Sequence, residues 1–150
     1  MSFSLEAPAG PADWQAFHDI READLFRARH ADVVYDRNHP DDFTPANRPL
    51  LFKRDGRPIG VIRLDALGGG TGAVRLVAIA KAEQGRGLGR IMAGMCEDLA
   101  RASGLHTLYV NAAPEALGFY EKTGWERFAW NPDELVSIAA DCVQMRKRIG

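Results

Sequence analysis

Two hydrophobic periods run along the chain, and they predict its helices and strands. Over residues 88–103 the apolar positions recur at spacings of three and four, which predicts an amphipathic helix. Its apolar stripe consists of Leu88, Ile91, Met92, Met95, Leu99 and Ala102. Val74 to Ile79 is dense in Val, Ile and Leu instead, which is typical of a buried strand. Gly104 fits the left-handed position that ends many helices.

An earlier helix is predicted to open at Pro11-Ala12-Asp13, with Asp13 as its N-cap. Its apolar face is formed by Trp14, Phe17, Leu25 and Ala28 and is widened by Ile20 and Phe26. Core packing against a sheet is the expected role of this face. Arg21 and Asp24 border it, and they face either water or a cleft.

Residues 32–49 are rich in Asp, Asn, Pro and His and predict an irregular loop. The loop is long for a compact domain, and loops of this length are usually functional or disordered. Because it carries aromatic and charged side chains, we expect it to form a wall of a substrate site.

Strands and short helices fill the rest of the chain. Asp55-Gly56 is a strong turn signal, which predicts a hairpin of Leu50 to Arg54 and Arg57 to Leu64. The later predicted elements are a strand His106 to Asn111, a helix Glu115 to Thr123, a strand Trp125 to Trp130 and a strand Asp141 to Ile149. This order predicts an α+β fold with helices on the faces of a mixed sheet and one parallel crossover around the 88–103 helix.

Length and composition narrow the function classes. The 150 residues predict a single domain spanning 1–150, and the net charge of −1 argues against a general nucleic-acid or anionic-membrane binder. No apolar run approaches the roughly 20 residues that cross a bilayer, and no secretory signal is visible. The two cysteines lie far apart and the four histidines lack zinc-ligand spacing, so we expect reduced thiols, no metal and a cytoplasmic protein.

Between the predicted strand and the 88–103 helix lies the glycine-rich turn Gln84-Gly85-Arg86-Gly87-Leu88-Gly89. The first amides of a helix lack intrahelical partners, and the helix dipole adds partial positive charge there. Glycines let a ligand approach the backbone closely, and Arg86 and Arg90 add full charges. The turn therefore predicts a phosphate site. The alternative is an ordinary tight connection whose glycines only turn the chain.

Two blocks of sequence resemble the GCN5-related N-acetyltransferase (GNAT) superfamily. The turn matches that family's Q/R-x-x-G-x-G/A signature, and Asn111 to Trp125 is similar to its Asn…A-x-x-F-Y-x-K-x-G-F block. The two blocks occur in the family's order, and the resemblance spans about Leu50 to Arg148. It implies an α/β/α fold: a mostly antiparallel sheet of about six to seven strands, helices on both faces and a splayed parallel strand pair.

The resemblance also implies a donor site for acetyl-CoA. The residues it assigns to the pyrophosphate are Gln84, Gly85, Arg86, Gly87, Leu88, Gly89 and Arg90. The pantetheine arm would pair with a bulged strand at Val77, Ala78 and Ile79, and the Ile79 amide would polarise the thioester carbonyl.

Two further side chains are assigned by the same resemblance. Asn111 matches a position that contacts the pantetheine or adjacent backbone; the alternative is an Asn that caps the next helix. Tyr120 matches the usual general acid, which returns a proton to the CoA thiolate. Without the resemblance, Tyr120 would be interpreted as a core aromatic.

The general base and the acceptor are less defined by the sequence. Val74 to Ala80 contains no acid, so the candidate bases are Asp65, or His39 and Asp41 acting through water. An amine that arrives neutral would need none. Arg63 and Arg75 are the remaining candidates for contact with the acceptor, because their strands could face it. The Asp-rich loop would favour a cationic amine instead, so both signs of charge are available.

The expected activity is direct acetyl transfer to a primary amine, most simply on a small molecule, by a monomer or homodimer. A protein N-terminus or lysine is an alternative acceptor. A non-catalytic acyl-CoA-binding or regulatory module is another alternative. A nucleotide-binding protein is disfavoured because no Lys-Ser/Thr pair follows the glycines, as a Walker-type loop requires.

Overall fold

A computed structural model describes residues 1–150 and shows one seven-stranded sheet in the order β1-β2-β3-β4-β5-β7-β6. The strands are β1 (Phe3–Glu6), β2 (Asn47–Arg54), β3 (Arg57–Gly68), β4 (Thr71–Ile79), β5 (Thr107–Ala112), β6 (Glu126–Arg127) and β7 (Val143–Arg148). Neighbouring strands are antiparallel except β4 and β5, which are parallel. The predicted mixed sheet with one parallel pair is confirmed.

Helices cover both faces of this sheet. They are α1 (Gly10–Arg21), α2 (Arg27–Arg29), α3 (Leu88–Ala102) and α4 (Leu117–Lys122). A π-helical segment, Glu22–Phe26, joins α1 to α2, and five short 3-10 turns lie in the connections at Pro40–Phe43, Lys81–Glu83, Pro114–Ala116, Pro132–Glu134 and Ser137–Ala139. No helix is long and apolar enough to span a membrane.

Strand alternation divides the core into two clusters. Side chains of successive strand residues point to opposite faces, so Leu51 and Leu50 belong to different clusters. Leu51 packs with Val61 and with Phe17 of α1. On the other face Leu50 belongs to the larger cluster, to which α3 contributes Leu88, Met92, Cys96 and Ala100. The sheet is therefore held between α1 and α3.

Several predicted boundaries are wrong. Strand β1 lies in a stretch where the sequence indicated no element. Ala9, not Asp13, is the N-cap of α1; the Asp13 carboxylate lies in the first turn and accepts a bond from the Ala9 amide at 2.9 Å. The predicted strand Trp125 to Trp130 shortens to β6. Ala28 is exposed rather than part of the buried stripe.

The predicted loop over 32–49 also ends earlier, because β2 begins at Asn47 and includes Pro49. Proline cannot donate a ladder hydrogen bond, so it is tolerated mainly on sheet edges. Pro49 pairs with Arg63 on one side, whereas β1 reaches β2 only from Leu51 onward. Pro49 therefore lies where β2 has a free edge.

A bulge in β4 separates it from β5. Val61 pairs with Ala78 and Arg63 with Arg75, so two steps along β3 match three along β4. Leu76 within this interval has φ +53°, an uncommon value for a branched side chain. The parallel pairing with β5 ends at Val74, and β4 continues to Ile79 without a partner on that side. The parallel pair is splayed.

Candidate functional site

A cleft of about 1130 Å³ opens where β4 and β5 separate. Its floor includes residues 74–79 of β4 and the end of β5. Its walls come from the π-helical segment, from residues 33–42, from α4 and from residues 134–142. Elements far apart in sequence thus converge on the gap that the bulge produces.

The glycine-rich turn leads into α3 at one border of this cleft. Gly85 and Gly87 have φ values of +81° and +75°, which other residues adopt only with strain. Gly87 is the N-cap of α3, and no side chain caps the helix. The first amides of α3 are therefore free to bind an anion.

The predicted pyrophosphate residues do not all face the cleft. Gln84, Gly85 and Gly89 line it, whereas Gly87, Arg86 and Arg90 are exposed outside its lining and Leu88 is buried in the core. The Gln84 side-chain amide donates to the Ile79 carbonyl at 2.8 Å, which fastens the turn to the end of β4. The Gln84 side chain therefore already has a hydrogen-bond partner within the protein.

Arg86 belongs to a cluster around a buried carboxylate. Glu83 pairs with Arg86 at 3.4 Å, with Arg54 at 3.3 Å and with Arg57 at 2.8 Å. Three guanidinium groups around one carboxylate leave an excess of positive charge next to the turn. This excess favours an anionic ligand there.

Val77, Ala78 and Ile79 all line the cleft, as a pantetheine site on β4 requires. Their strand pairs with β3 on one side only, so backbone groups on the other side are available to a ligand that adds like a strand.

Tyr120 of α4 reaches the same cleft. Its ring packs edge-on against Trp125, with centroids 5.4 Å apart, and beside Phe119. Its hydroxyl makes no hydrogen bond within the protein. Burial raises the pKa of Tyr120, so the hydroxyl keeps its proton at neutral pH.

An alternating row of charged side chains, here called the ion-pair chain, crosses one face of the sheet. Arg21 donates to Asp42 at 2.9 Å, and Arg63 donates to Asp42 at 3.1 Å and to Asp65 at 2.8 and 3.0 Å. Arg75 donates to Asp65 at 2.8 Å. The row continues from Arg75 to Glu134 at 2.6 and 3.1 Å.

The ion-pair chain includes the predicted acceptor contacts Arg63 and Arg75 and the candidate base Asp65, which differ in their position relative to the cleft. Arg63 and Arg75 line the cleft, but Asp65 does not. Both Asp65 oxygens accept bonds from arginines, and the residue is only 4% exposed. The expectation that Asp65 acts as the general base is not supported by this placement.

Glu134, which the sequence did not single out, bridges the two splayed strands. Its carboxylate binds Arg75 of β4 and accepts from the Asn111 amide of β5 at 3.1 Å. These positions directly follow Val74 and Val110, the last register pair of β4 and β5. Burial acts to raise the pKa of Glu134, but the bonds from Arg75 and Asn111 outweigh it and the pKa is lowered.

The Asn111 side chain does not have the predicted alternative role of a helix cap, and its contact with pantetheine stays a prediction. Its amide group donates to Glu134, and its oxygen accepts from Gln144 at 2.9 Å. It caps no helix, since the N-cap of the following 3-10 turn is Ala113. Its side chain therefore links Glu134 and Gln144 at the β5 end of the gap. Asn111 also lines the cleft.

Further acids and bases line the cleft wall, among them His39, Asp41 and Asp24. His39 and Asp41 line the cleft as predicted and are exposed, and the His39 imidazole accepts from the Asp41 amide at 3.2 Å. Asp24, in the π-helical segment, also lines it and makes no ion pair. π-Helical turns occur frequently at functional sites. No cluster of three or more His, Cys, Asp or Glu has a metal-binding arrangement.

The chain is similar to a known protein family and to several solved structures. The model of the Acetyltransferase (GNAT) family matches residues 14–125. A Lactobacillus plantarum protein assigned as an N-acetyltransferase has 23% identity, a TM-score of 0.79 and coverage of 99% of this chain and 98% of its own.

Two other solved structures share the fold. The ribosomal-protein-S18-alanine N-acetyltransferase of Escherichia coli has 14% identity, a TM-score of 0.74 and coverage of 99% and 95% of the two chains. An aminoglycoside 6'-N-acetyltransferase complexed with coenzyme A has 13% identity, a TM-score of 0.77 and coverage of 100% and 98%. At these identities, the likeness concerns the fold.

Proposed function

Because the chain belongs to the acetyltransferase (GNAT) family, we propose that it transfers an acetyl group from acetyl-CoA to a primary amine on a small molecule. The observation that carries this proposal is the splayed strand pair. The free edge of β4 begins after Val74 and ends at Ile79, beside the uncapped start of α3. One continuous surface thus offers backbone groups for pantetheine and amides for phosphate.

The residues present fit acetyl-CoA in three respects. The N-terminus of α3 has no side-chain cap, the β4 edge has unpaired backbone groups, and the Tyr120 hydroxyl has no internal partner. When bound, acetyl-CoA supplies an acyl group activated as a thioester. The turn from Gln84 to Gly89 would hold its phosphates, and Val77 to Ile79 would hold its pantetheine arm.

Tyr120 and the cleft acids have complementary tasks. Tyr120 keeps its proton because burial raises its pKa, so Oη can donate to a leaving thiolate. Asp24, Asp41 and His39 line the same cleft and can take a proton from an ammonium ion directly or through water. Asp65 is excluded from this task by its bonds to Arg63 and Arg75.

Direct attack by the amine is favoured over an acetyl-cysteine route. Cys142 lines the cleft, but burial raises the pKa of its thiol. Cys96 lies in the core, where burial raises its pKa to about 12. The thiolate is the nucleophilic form, so neither cysteine is activated. Replacement of Cys142 by Ala should therefore leave turnover in place.

A small acceptor is supported by the cleft walls, because several segments of the chain surround the space that the acceptor would occupy. Side chains from the π-helical segment, from 33–42 and from 134–142 surround it. A peptide acceptor is the second candidate, because Val34 and Val136 line the cleft while remaining 92% and 62% exposed. Such an apolar rim would suit a longer substrate.

The test is thiol release from acetyl-CoA in the presence of a panel of amines and of peptides with free N-termini or lysines. Release with small amines supports the proposal, and release only with peptides supports the second candidate. Acetyl-CoA binding without thiol release from any acceptor would indicate a non-catalytic binding module instead.

A further inference from the structure

Arg21 has an unused hydrogen-bonding edge. It is the last residue of α1, is 2% exposed, and its guanidinium carbon lies 4.3 Å from the centre of the Phe17 ring. Nη1 donates to Asp42. Nε and Nη2 are the only buried side-chain nitrogen or oxygen atoms in the structure that have no hydrogen-bond partner. An unsatisfied buried donor is unfavourable, so this exception calls for a partner.

The two unpaired atoms define the chemistry of that partner. Nε and Nη2 form one side of the planar guanidinium, and their N–H groups are spaced to match the two oxygens of a carboxylate. Phe17 covers a face of the group, Asp42 occupies Nη1 and the Tyr35 hydroxyl lies near the guanidinium, so the Nε–Nη2 edge is the part without a hydrogen bond of good geometry. Arg21 belongs to the cleft lining, but both nitrogens are themselves buried, so a ligand would reach this edge only after the side chains that cover it move aside.

The ion-pair chain also distinguishes Arg21 by its number of carboxylate partners. Arg63 binds two carboxylates, Asp42 and Asp65, and Arg75 also binds two, Asp65 and Glu134. Arg21 ends the row and binds only Asp42, which it shares with Arg63. The row is balanced in charge, with three arginines and three carboxylates, but Arg21 at its end has one carboxylate partner where Arg63 and Arg75 each have two.

An acid for the ammonium group of the acceptor lies close by in the chain. Asp24 follows Arg21 by three residues, lines the same cleft and makes no ion pair. The neighbouring segments thus offer an unused guanidinium edge and an unused carboxylate to one ligand.

We propose that the acceptor is an amine that also carries a carboxylate, in the manner of an amino acid, and that the Nε–Nη2 edge of Arg21 binds this carboxylate. The inference rests on the proposed function, and it identifies the substrate class of the same cleft. Asp24 contacts the ammonium end, which places the two charges of the acceptor on the π-helical side of the cleft.

The experiment compares each standard L-amino acid with its carboxamide as the acceptor, measuring kcat/KM by thiol release. The amide keeps the amine and the side chain but lacks the negative charge. For the preferred amino acid we expect the acid to exceed the amide by at least about tenfold, the effect of a hydrogen bond to a charged group. In Arg21→Lys, which keeps a charge but loses the fork, this ratio should fall toward one.

Arg27→Lys is the matched control. Arg27 lies on the next turn, is exposed, makes no ion pair and does not line the main cleft, so the substitution should leave the ratio unchanged. Near-ultraviolet circular dichroism checks that Arg21→Lys is folded. If it is not, the acid-to-amide ratio of the wild type decides alone.

The outcomes separate this inference from the proposed function. If the wild type acetylates amides or simple amines as fast as amino acids, the carboxylate inference is wrong while the acetyltransferase remains. If no amine releases thiol, the proposed function fails. The Nε–H resonance of Arg21, identified by its loss in Arg21→Lys, then decides whether amino acids, and not their amides, bind at this edge; an unmoved resonance overturns the inference.

Discussion

A proton donor in the cleft must be protonated, oriented and free of competing bonds, and Tyr120 has these three properties. Burial raises its pKa, packing against Trp125 and Phe119 fixes its ring, and its hydroxyl has no internal acceptor. The motif alone could not separate this role from that of a core aromatic. Tyr120 contacts both the core and the cleft, so its role as the acid stays a prediction.

Tyr120→Phe should keep the ring contacts and remove the proton. We expect kcat to fall roughly a hundredfold, the lower end of general acid–base contributions, with the Kd for acetyl-CoA unchanged. Steady-state kinetics and calorimetry measure the two quantities. Tyr109→Phe is the control, since Tyr109 lies on β5 outside the cleft lining. Equal losses in both variants would remove Tyr120 from the mechanism.

Glu134→Gln tests the bridge between the splayed strands. The pKa of Glu134 is below its usual 4.5 in the folded protein, so its contribution to stability is present above that pH and is lost as the pH falls through the lowered folded value. We expect the substitution to lower the free energy of unfolding by about 1 kcal/mol at neutral pH. The difference should shrink in acid.

Urea unfolding at neutral pH and at about pH 3 measures this difference. Asp133→Asn is the matched control, because Asp133 is adjacent, exposed and makes no ion pair. A stability difference that is the same at both pH values would show that the Glu134 charge does not stabilise the gap.

At the scale of elements, the glycines of the turn and of the start of α3 differ in whether folding or ligand binding requires them. Gly85 and Gly87 have positive φ, so the fold itself favours glycine there. Gly89 has no positive φ. A Cβ added there would lie 3.8 Å from an Ile79 carbon, which is an ordinary van der Waals contact. Gly89 faces the cleft, so its lack of a side chain matters mainly to a ligand.

Gly89→Ala should therefore raise stability while weakening binding. Alanine in a helix gains about 0.5 kcal/mol or more over glycine. The methyl group would obstruct the approach of phosphate to the helix start, and we expect the Kd for acetyl-CoA to rise roughly tenfold. Thermal melting and calorimetry measure the two effects.

Gly94→Ala provides the control within the same helix. Gly94 is exposed in α3, and an added Cβ would contact nothing within 4 Å. It should gain similar stability and leave acetyl-CoA binding unchanged. If both variants bind acetyl-CoA like the wild type, the phosphate-site interpretation of this turn is wrong.

The elements most predictable from sequence are those with local signals. The helix α3, the Asp55-Gly56 turn and the glycine turn each depend on neighbouring residues, and the sequence located all three. The predicted apolar stripe of α3 is correct only in part, because Ile91 and Ala102 are exposed while Cys96 and Ala100 are buried. The π-helical segment left no clear pattern, and the β4 bulge was expected only from the family resemblance. β1 is short and pairs with distant β2, so only the folded sheet reveals it.

The site residues also divide into those with a local sequence signal and those without one. The residues of β4 and the turn could be placed from their motif, but Glu134 and the free edge of Arg21 could not. Glu134 meets Asn111 and Arg75 from 23 and 59 positions away, and Arg21 meets Asp42 from 21 positions away. No local spacing indicates such partners. The same contacts give Asn111 and Asp65 partners that their sequence positions do not indicate.

At the scale of the molecule, ligand binding and sheet integrity are linked. The cleft interrupts the sheet between β4 and β5, and the Arg75–Glu134–Asn111 bridge joins the two strands past their last register pair. A pantetheine arm along β4 would fill this gap and pair its free backbone groups. Binding should therefore stabilise the whole fold, because a ligand that binds only the native state shifts the unfolding equilibrium.

Acetyl-CoA at about a hundred times its Kd should add about 2.7 kcal/mol to the free energy of unfolding. For a chain of this size, the melting temperature should rise by roughly 5–10 °C. ATP at the same concentration supplies phosphates but no pantetheine arm, so its shift should stay below about 2 °C. Differential scanning calorimetry measures both, and Gly89→Ala should reduce the acetyl-CoA shift while Gly94→Ala keeps it. Equal shifts from ATP and acetyl-CoA would mean that phosphate recognition alone accounts for binding, and the role assigned to the free edge of β4 would be lost.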